Sequence, residues 1–239
     1  MLRPGHFLWQ DFREDHLFII RHARIAARKG EKIMEAKTTV QTTQKNGVKV
    51  IVQVGMLAAV SIILMMFEFP LPFAPSFYEI DLSEVPVMVG CFALGPLAGA
   101  AVELVKILLN LVVTGTDTAG VGELANFVIG CCLCVPAGII YKRNKTRKNA
   151  LIGMITGVVI MTVAGCFINA FVLLPVYATA FGTPIDALVG MGTAINPAID
   201  SVTTFVIFAV APFNLLKGVI VSVIVFLIYK KISPVFRMH

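Results

Sequence analysis

Apolar residues come in uninterrupted blocks of about twenty, and this pattern constrains the fold more than any other feature of the chain. A block of this length, coiled as a helix, spans the ~30 Å hydrocarbon core of a bilayer. Of the 239 residues, 57% are hydrophobic and 14% are charged, whereas about 25% are charged in a typical soluble domain. A soluble bundle would alternate polar and apolar faces within each helix, and these blocks do not. The pattern predicts an all-α, polytopic membrane protein.

The boundaries of the blocks predict six transmembrane helices. Gly95-Pro96 divides one long apolar run, because a proline fits the first turn of a helix, where its missing N–H would be unpaired anyway. Pro212 is interpreted in the same way, as the start of the last span. The residues from Asn196 to Ala211 then form a separate amphipathic helix at the membrane face. The predicted spans are Val48–Phe67, Pro86–Leu94, Pro96–Val113, Glu123–Tyr141, Ala150–Pro175 and Pro212–Lys231.

Basic residues predict the orientation of these spans. Lysines precede the first span, five of the seven residues in "KRNKTRK" are basic, and Lys230-Lys231 closes the last span. The connections on the other side contain no Lys or Arg. Because positive charge is retained on the cytoplasmic side, both termini are predicted to be cytoplasmic, and the proline-rich segment Phe67–Pro86 is extracellular. The net charge of +6 thus reflects membrane topology, and no nucleic-acid partner is predicted.

The first 33 residues do not fit this pattern. They are charged, contain no long apolar core and lack a signal-peptide cleavage pattern. Two interpretations stay open: a leader that is not translated, with the true start at Met34, or a basic amphipathic arm at the membrane interface. The expected organisation is a doubtful extension, 1–33, followed by a single six-helix membrane domain, 34–239.

Motifs for an energy source or for catalysis are missing from the sequence. There is no GxxxxGK[ST] loop for a nucleotide phosphate, no HExxH or GxSxG, and no sign of the inverted repeats of a secondary carrier. The five cysteines lie in apolar runs, and the "CCLC" cluster is too compressed for a zinc site. We therefore expect no metal and no cofactor, and a binding subunit that takes its energy from a partner.

Polar side chains inside spans are costly, so they usually face the interior of the bundle and mark function. Five of them are expected at one depth, just under the extracellular surface, on the fourth, fifth and sixth spans: Glu123, Asn126, Asn169, Asn214 and Lys217. The proline-rich segment lies above this level, and its aromatic and acidic residues are expected to cap a pocket: Phe73, Phe77, Tyr78, Glu79, Asp81 and Glu84.

The residue types predict the chemistry of the ligand. Amides donate and accept, Lys217 is expected to donate to carbonyls or nitrogens of a ring, and aromatic rings stack. A neutral, flat, heteroaromatic ligand with hydroxyl groups fits this set. In the alternative interpretation, the amides join helices and Lys217 extends outward to the interface. Glu103 and Lys106, three residues apart on one helix, are interpreted as a structural pair.

Three stretches carry a resemblance to a known family: "FEFPLPFAPSFYEIDLSEVPVMVGCFALGPLAGAAVELVKILLN", "TAGVGELANFVIG" and "NPAIDSVTTFVIFAVAPFNLLKG". Together the chain resembles the riboflavin-specific S components of energy-coupling factor (ECF) transporters, from about Val50 to Lys231. The resemblance implies a six-helix membrane receptor that binds riboflavin near the outer face. It also implies docking on one transmembrane coupling subunit and two cytoplasmic ATPases.

Residue roles are carried over from this family by motif. Asn169, Asn214 and Lys217 match positions that bind riboflavin, and Glu123, Asn126, Tyr78 and Asp81 are expected to complete the site. An Ala-xxx-Ala pattern on the first helix usually contacts the coupling subunit. This chain has Gly55 and Ala59 instead, a pair that still permits close approach of two backbones. Whether flavin mononucleotide is also carried stays open.

Two other functions compete with this interpretation. An S component for thiamin, biotin or a folate would keep the architecture, although a cationic vitamin would require an unpaired carboxylate where this chain places Lys217. A small membrane enzyme acting on lipid would require convergent acid–base groups, but three of the four histidines lie in 1–33 and the fourth is terminal. A structural or channel protein is the remaining alternative.

Overall fold

The computed structural model describes Arg28 and residues 47–72, 74, 75, 78–116 and 118–236, with side chains up to residue 228. The described residues from Val50 onward form one compact unit. The predicted N-terminal extension, the proposed start at Met34 and the predicted capping rings of Phe73 and Phe77 lie outside the described residues.

The described chain is helical apart from one short β-ribbon. The elements in chain order are α1 Gly47–Met65, β1 Phe69–Pro70, β2 Glu79–Ile80, α2 Glu84–Ala93, α3 Pro96–Val113, α4 Val121–Arg143, α5 Arg147–Ile168, a π-helical segment Asn169–Leu173, α6 Leu174–Ala180, α7 Ile185–Thr193, α8 Val202–Phe205, a second π-helical segment Val206–Val210, and α9 Ala211–Phe236.

Five helical runs within the described residues are long and apolar enough to cross a membrane: Gly47–Met65, Pro96–Val113, Val121–Arg143, Arg147–Ala180 and Val202–Ile228. Their outer faces carry large apolar side chains such as Leu97, Val112 and Phe171, which are exposed. Apolar surfaces of this kind are stable in contact with the hydrocarbon chains of lipids, which are as apolar as the side chains themselves. The predicted all-α, polytopic class is confirmed.

The second predicted span is a short interior helix. α2 has ten residues and is therefore about 15 Å long, half the thickness of the hydrocarbon core. Nine of its residues are buried, because it packs against α3, α4 and α9. The hydrophobic run that identifies α2 in the sequence thus reflects enclosure by other helices, and the helix is too short to span a bilayer by itself.

The predicted end of the fifth span at Pro175 and the predicted helix start at Pro212 are wrong. The fifth span continues past Pro175 to Ala180, and the last helical run begins at Val202 and passes through Pro212. In each case a π-helical segment ends two residues before the proline. A π turn is wider than an α turn and bonds i to i−5, so it accommodates a residue that cannot donate to the i−4 carbonyl. The predicted separate helix from Asn196 to Ala211 does not form.

Glycines allow α4 and α5 to approach closely. A Cβ atom at Gly153 would lie 2.8 Å from the carbonyl oxygen of Ala137, and one at Gly157 would overlap the carbonyl oxygen of Leu133. The two glycines are four residues apart and therefore lie on one face of α5. Small residues at this spacing bring two backbones into contact, and they fix the helix that carries Asn169 against the helix that carries Glu123.

Candidate functional site

A cavity of about 330 Å³ opens at the end of the bundle where α1 ends and α4 begins. All seven side chains predicted to bind the ligand line it: Tyr78, Asp81, Glu123, Asn126, Asn169, Asn214 and Lys217. They come from α4, α5 with its π-helical segment, α9 and the loop that follows α1. The structure therefore brings together residues that are distant in sequence, while their role in binding stays a prediction.

The loop after α1 reaches the cavity through the β-ribbon. β1 and β2 pair antiparallel, with Phe69 opposite Ile80 and Pro70 opposite Glu79. This register places three carboxylates at the cavity: Glu68 just before β1, Glu79 in β2 and Asp81 just after it. Tyr78, Glu79 and Asp81 thus line the same cavity as the polar side chains of the spans, and their role in capping a ligand stays a prediction.

Lys217 has a protein partner, one of the acids of the loop after α1. Its Nζ atom donates to Oδ2 of Asp81 at 2.9 Å, and both side chains are buried. The other carboxylate oxygen of Asp81 accepts from the backbone N–H of Ser83 at 2.6 Å. Burial by itself would raise the pKa of Asp81, but the neighbouring Lys217 and Lys106 ammonium groups lower it to about 2.

Glu84 does not cap the cavity. It lies buried at the start of α2, where Oε1 accepts from Lys106 Nζ at 2.8 Å, and Glu103 Oε1 lies 2.8 Å from the same ammonium group. The predicted pair of Glu103 and Lys106 is thus confirmed, but as part of a triad. The triad needs space: a Cβ atom at Gly130 would lie 2.5 Å from Glu103 Oε1. Glu84 is drawn inward because a buried lysine is costly unless carboxylates surround it.

Asn169 is held by the loop. It is the first residue of a π-helical segment, is buried, and accepts a hydrogen bond at Oδ1 from the Tyr78 hydroxyl at 2.5 Å. The Tyr78 ring packs against Phe205 and Phe213, with centroids 6.2 and 5.2 Å away. Tyr78 therefore connects the loop to two helices at once.

The two amides are oriented alike. Nδ2 of Asn169 donates to the carbonyl oxygen of Gly165 at 2.8 Å, and Nδ2 of Asn214 donates to that of Val210 at 2.9 Å. A carbonyl oxygen only accepts, so the amide nitrogen has to face it. Each side chain therefore turns its oxygen away from its own helix. Each amide nitrogen keeps a second N–H, and the Asn169 oxygen already accepts from the Tyr78 hydroxyl, so the two amides offer the site both donors and acceptors.

Glu123 and Asn126 lie nearer the mouth and are half-buried. Oε2 of Glu123 accepts from the hydroxyl of Thr116 at 3.1 Å and from that of Thr118 at 3.5 Å. The same hydroxyl oxygens accept from the backbone N–H groups of Gly120 and Gly122. The loop before α4 thus satisfies the first N–H groups of this helix with its own threonines.

Glu68 is a site residue that the sequence analysis missed. Its carboxyl group is exposed at the mouth, and partial burial, a hydrogen bond with Glu79 and the nearby charge of Asp81 raise its pKa to about 7. The antiparallel ribbon brings the three acids together. The usable signal was the segment "FEF…YEID", in which three acidic residues flank a proline-rich turn.

Further lining residues were also missed. Asn110, Thr118, Tyr177, Phe181 and Phe213 border the cavity. Asn110 is a polar residue within the predicted third span, and this position in an apolar run was a usable signal. The aromatic residues have no sequence pattern that separates them from lipid-facing aromatics. Within the described residues, no group of three or more His, Cys, Asp or Glu side chains is placed to hold a metal ion.

The predicted docking pair lies on the outside of the bundle. Gly55 and Ala59 are exposed on α1, and nothing lies within 4 Å of where a Cβ atom of Gly55 would be. Exposed Val52, Met56 and Val60 flank them on the same face. The face is therefore open to another helix, and its partner stays a prediction.

Comparison with known proteins agrees with this arrangement. Over 189 residues the chain is 32% identical to riboflavin transporter FmnP of Bacillus subtilis (strain 168), and the aligned region covers 78% of this chain and 93% of that protein. Over 185 residues it is 31% identical to riboflavin transporter RibU of Staphylococcus aureus (strain TCH60), and the aligned region covers 77% of this chain and 90% of that protein. Both relatives are named as transporters, and neither is an enzyme.

A solved structure, described as the S component of a bacterial ECF transporter, superposes with a TM-score of 0.62 at 32% identity, covering 80% of this chain and 98% of that one. The family model for the substrate-specific component of ECF transporters matches residues 49–229. Apart from Gly47 and Val48, this range contains the five long apolar helical runs, the β-ribbon and every described residue that lines the cavity. The chain therefore belongs to the substrate-specific components of ECF transporters, a family of multi-pass bacterial membrane proteins.

Proposed function

We propose that this S component binds riboflavin at the extracellular face and delivers it inward when docked on an ATP-driven module. The observation that carries the proposal is the convergence of seven predicted binding residues on one cavity, in a chain whose relatives are named riboflavin transporters. The sequence contains no phosphate-binding loop of its own, so the energy for transport comes from a partner.

The positions of charge along the helices support an extracellular cavity. Glu123 lies twenty residues before Arg143 on α4, which places the cavity about 30 Å from the basic connection after α4. Lys49 lies at the end of α1 opposite Met65, a cavity residue. By the positive-inside rule the basic end is cytoplasmic. α2 and the adjoining loop together count as one crossing. With the five long helical runs this gives six crossings, and an even number places both termini on the same side, in the cytoplasm.

The lining supports a flat ligand with hydrogen-bond donors. The rings of Tyr78, Tyr177, Phe181 and Phe213 border the cavity and offer stacking surfaces. The amide oxygens and carboxylates accept from the imide N–H and hydroxyl groups of riboflavin. A volume of about 330 Å³ is at the lower end of the range for small-molecule pockets.

The charge argument for riboflavin over other vitamins has to be revised. The presence of Lys217 was expected to disfavour a cationic vitamin, but Asp81 neutralises Lys217, and three further acids border the cavity. A cationic vitamin is therefore not disfavoured by charge. The choice of riboflavin rests on the relatives and on the aromatic lining, and thiamin, biotin and folates are the competitors for the experiment.

Docking is proposed through α1. Gly55 and Ala59 form an exposed face of small residues that allows a helix of the coupling subunit to approach the backbone. Two cytoplasmic ATPases complete the module. Flavin mononucleotide shares the ring system of riboflavin and is a second candidate ligand.

Titration of the purified protein in detergent, without ATP, tests the proposal. Riboflavin fluorescence should be quenched to a stoichiometric end point, and protein purified from riboflavin-containing medium should be yellow. Thiamin, biotin and folate at hundredfold excess should not restore the fluorescence. A folded preparation that leaves the fluorescence unchanged would refute the proposal, and displacement by one of the other vitamins would reassign the ligand.

A further inference from the structure

We propose that a groove between α5 and α9, on the surface that faces the lipid, binds an anionic phospholipid of the membrane. In this proposal one acyl chain lies in the groove, and the phosphate group of the lipid contacts the basic residues at the end of the groove. The groove shares no described lining residue with the cavity that contains Lys217. The lipid site is therefore independent of the ligand that the cavity binds.

The groove lies along the outer surface of the bundle and has a volume of about 370 Å³. Met154 and Val158 line it and are buried, so they form its floor. Its walls are large apolar side chains that are exposed: Leu151, Ile155 and Val159 on α5, and Val219, Val223 and Leu227 on α9. Each set recurs at every fourth residue, and eight residues of helix extend over about 12 Å. The groove therefore has nearly the length of one leaflet of a ~30 Å hydrocarbon core.

The size of the lining side chains favours an acyl chain over a second helix. Helices approach closely where small residues line the contact, as α5 approaches α4 at Gly153 and Gly157. The described lining of the groove consists of Leu, Ile, Val, Met and Phe residues and Ser222, without Gly or Ala. Such walls hold the backbone of another helix away. A flexible chain of methylene groups fits between them and gains dispersion contacts on both sides.

Basic residues continue the groove toward the start of α5. Arg147 and Lys148 precede Leu151 by four and three residues, so all three lie on one face of the helix. Arg147 and Lys148 are exposed, and the connection from 142 to 148 contains three further basic residues and no acid. Among the described residues, none of these five basic side chains takes part in an ion pair. Unpaired positive charge therefore lies about 6 Å along the helix from the last apolar wall residue.

The polarity of α5 also favours an anion at this end of the groove. The helix begins at Arg147 with no acidic residue in its first turn, so its N-terminal dipole is not opposed there. In the sequence of α9, Lys230 and Lys231 follow Leu227 by three and four residues. A basic cluster at a membrane boundary attracts anionic headgroups such as that of phosphatidylglycerol. The headgroup of phosphatidylcholine carries its own cation and has no net charge, so the site should select by headgroup charge.

Native mass spectrometry of the purified full chain measures this selection. The protein, in a mild detergent, is mixed with equimolar dioleoyl phosphatidylglycerol and dioleoyl phosphatidylcholine, which have the same acyl chains. The readout is the ratio of the two adducts that contain one lipid. The parent should favour phosphatidylglycerol at least about tenfold. Arg147→Gln and Lys148→Gln should each reduce this ratio about three- to fivefold, because one cationic contact with the headgroup is lost.

Matched controls separate a located site from general attraction. Lys142→Gln removes the same charge from the same connection, but Lys142 lies in the last turn of α4 and not on the row that continues the groove. Its ratio should stay within about twofold of the parent. Val219→Phe fills the groove without changing charge, so both lipid adducts should decrease at least about threefold. Val112→Phe enlarges an exposed side chain on α3 that does not line the groove, and both adducts should be unchanged.

Three results would overturn the proposal: equal binding of the two lipids by the parent, equal effects of Lys142→Gln and Arg147→Gln, or unchanged adducts in Val219→Phe. The second result would show attraction to the whole basic connection without a defined site. If Val219→Phe keeps its lipid adducts but loses riboflavin uptake in cells, the groove is a contact for another protein. A normal size-exclusion profile verifies that each variant is folded.

Discussion

The ammonium nitrogen of Lys217 lies 2.9 Å from a carboxylate oxygen of Asp81, across 136 residues of sequence. The pair ties the loop after α1 to α9, and both side chains are less than a tenth exposed. Removing either partner would leave the other charge buried and uncompensated, which is the costly state of a buried ion pair.

We expect Lys217→Met and Asp81→Asn each to destabilise the protein by about 3–5 kcal/mol. The double variant should lose less than the sum of the two, because it no longer contains an unpaired charge. Thermal unfolding of all four proteins in one detergent gives the coupling energy. Strictly additive losses would show that the two side chains do not interact.

The same three variants of Lys217 and Asp81 also test ligand binding. Lys217→Met removes a donor beside the cavity and releases the Asp81 carboxylate, so riboflavin affinity should fall about ten- to hundredfold. The double variant should recover part of this loss, and titrations by fluorescence quenching measure both. Parent-like affinity in Lys217→Met would exclude Lys217 from the binding site.

The pKa of Asp81 predicts an acid-sensitive loop. Its pKa is about 2 in the folded protein, against an ordinary value of 3.8. A lowered pKa in the folded state contributes stability that is present above pH 4 and is lost as pH falls toward 2. Unfolding curves between pH 5 and pH 2 should therefore show a steeper loss of stability for the parent than for Asp81→Asn. Parallel curves would contradict the assignment.

The raised pKa of Glu68 predicts the opposite dependence of stability on pH. Its pKa is raised from 4.5 to about 7 by partial burial and by its acidic neighbours Glu79 and Asp81, with Lys217 opposing them. The folded state then holds a proton that the unfolded state has lost, so stability decreases as pH rises from 4.5 to 7. Glu68→Gln should flatten this decrease, as measured by the melting temperature at pH 5, 6, 7 and 8. An identical profile for parent and variant would mean that Glu68 titrates normally.

Added bulk on α1 should separate binding from transport. Gly55→Leu and Ala59→Leu fill an exposed face where close helix contact is proposed. Uptake of radiolabelled riboflavin into cells should fall at least about tenfold, while the purified variants still quench flavin fluorescence. Val163→Leu, which enlarges an exposed side chain on α5, is the control and should transport normally. Loss of binding together with uptake would show that the face is structural.

Gly130 should tolerate no side chain. A Cβ atom there would lie 2.5 Å from Glu103 Oε1 and 3.0 Å from Glu84 Oε1, so Gly130→Ala should destabilise the protein by about 1–3 kcal/mol. Gly190→Ala is the matched control, since Gly190 is exposed within α7 and has nothing within 4 Å. Alanine there should be neutral or slightly stabilising. Equal melting temperatures for both variants would contradict the close packing of the triad.

The lengths of the apolar runs determine much of the fold of this protein, because a bilayer restricts the chain to helices that satisfy their own backbone hydrogen bonds. The sequence alone therefore predicted the helical membrane class, the Gly95-Pro96 break, the Glu103–Lys106 pair and the seven residues that now line one cavity. Polar residues in an apolar run are informative for the same reason: they are costly unless something faces them.

The tertiary structure decided what a one-dimensional pattern cannot express. Pro175 and Pro212 lie within continuous helical runs, because π-helical segments before them absorb the missing hydrogen bond. Glu84 turns inward to Lys106, and Asp81 turns to Lys217. Which acid meets which lysine depends on the register of a two-residue ribbon and on how closely the helices approach. Those distances are set by packing across the bundle between residues that are distant in sequence, so the local sequence does not predict them.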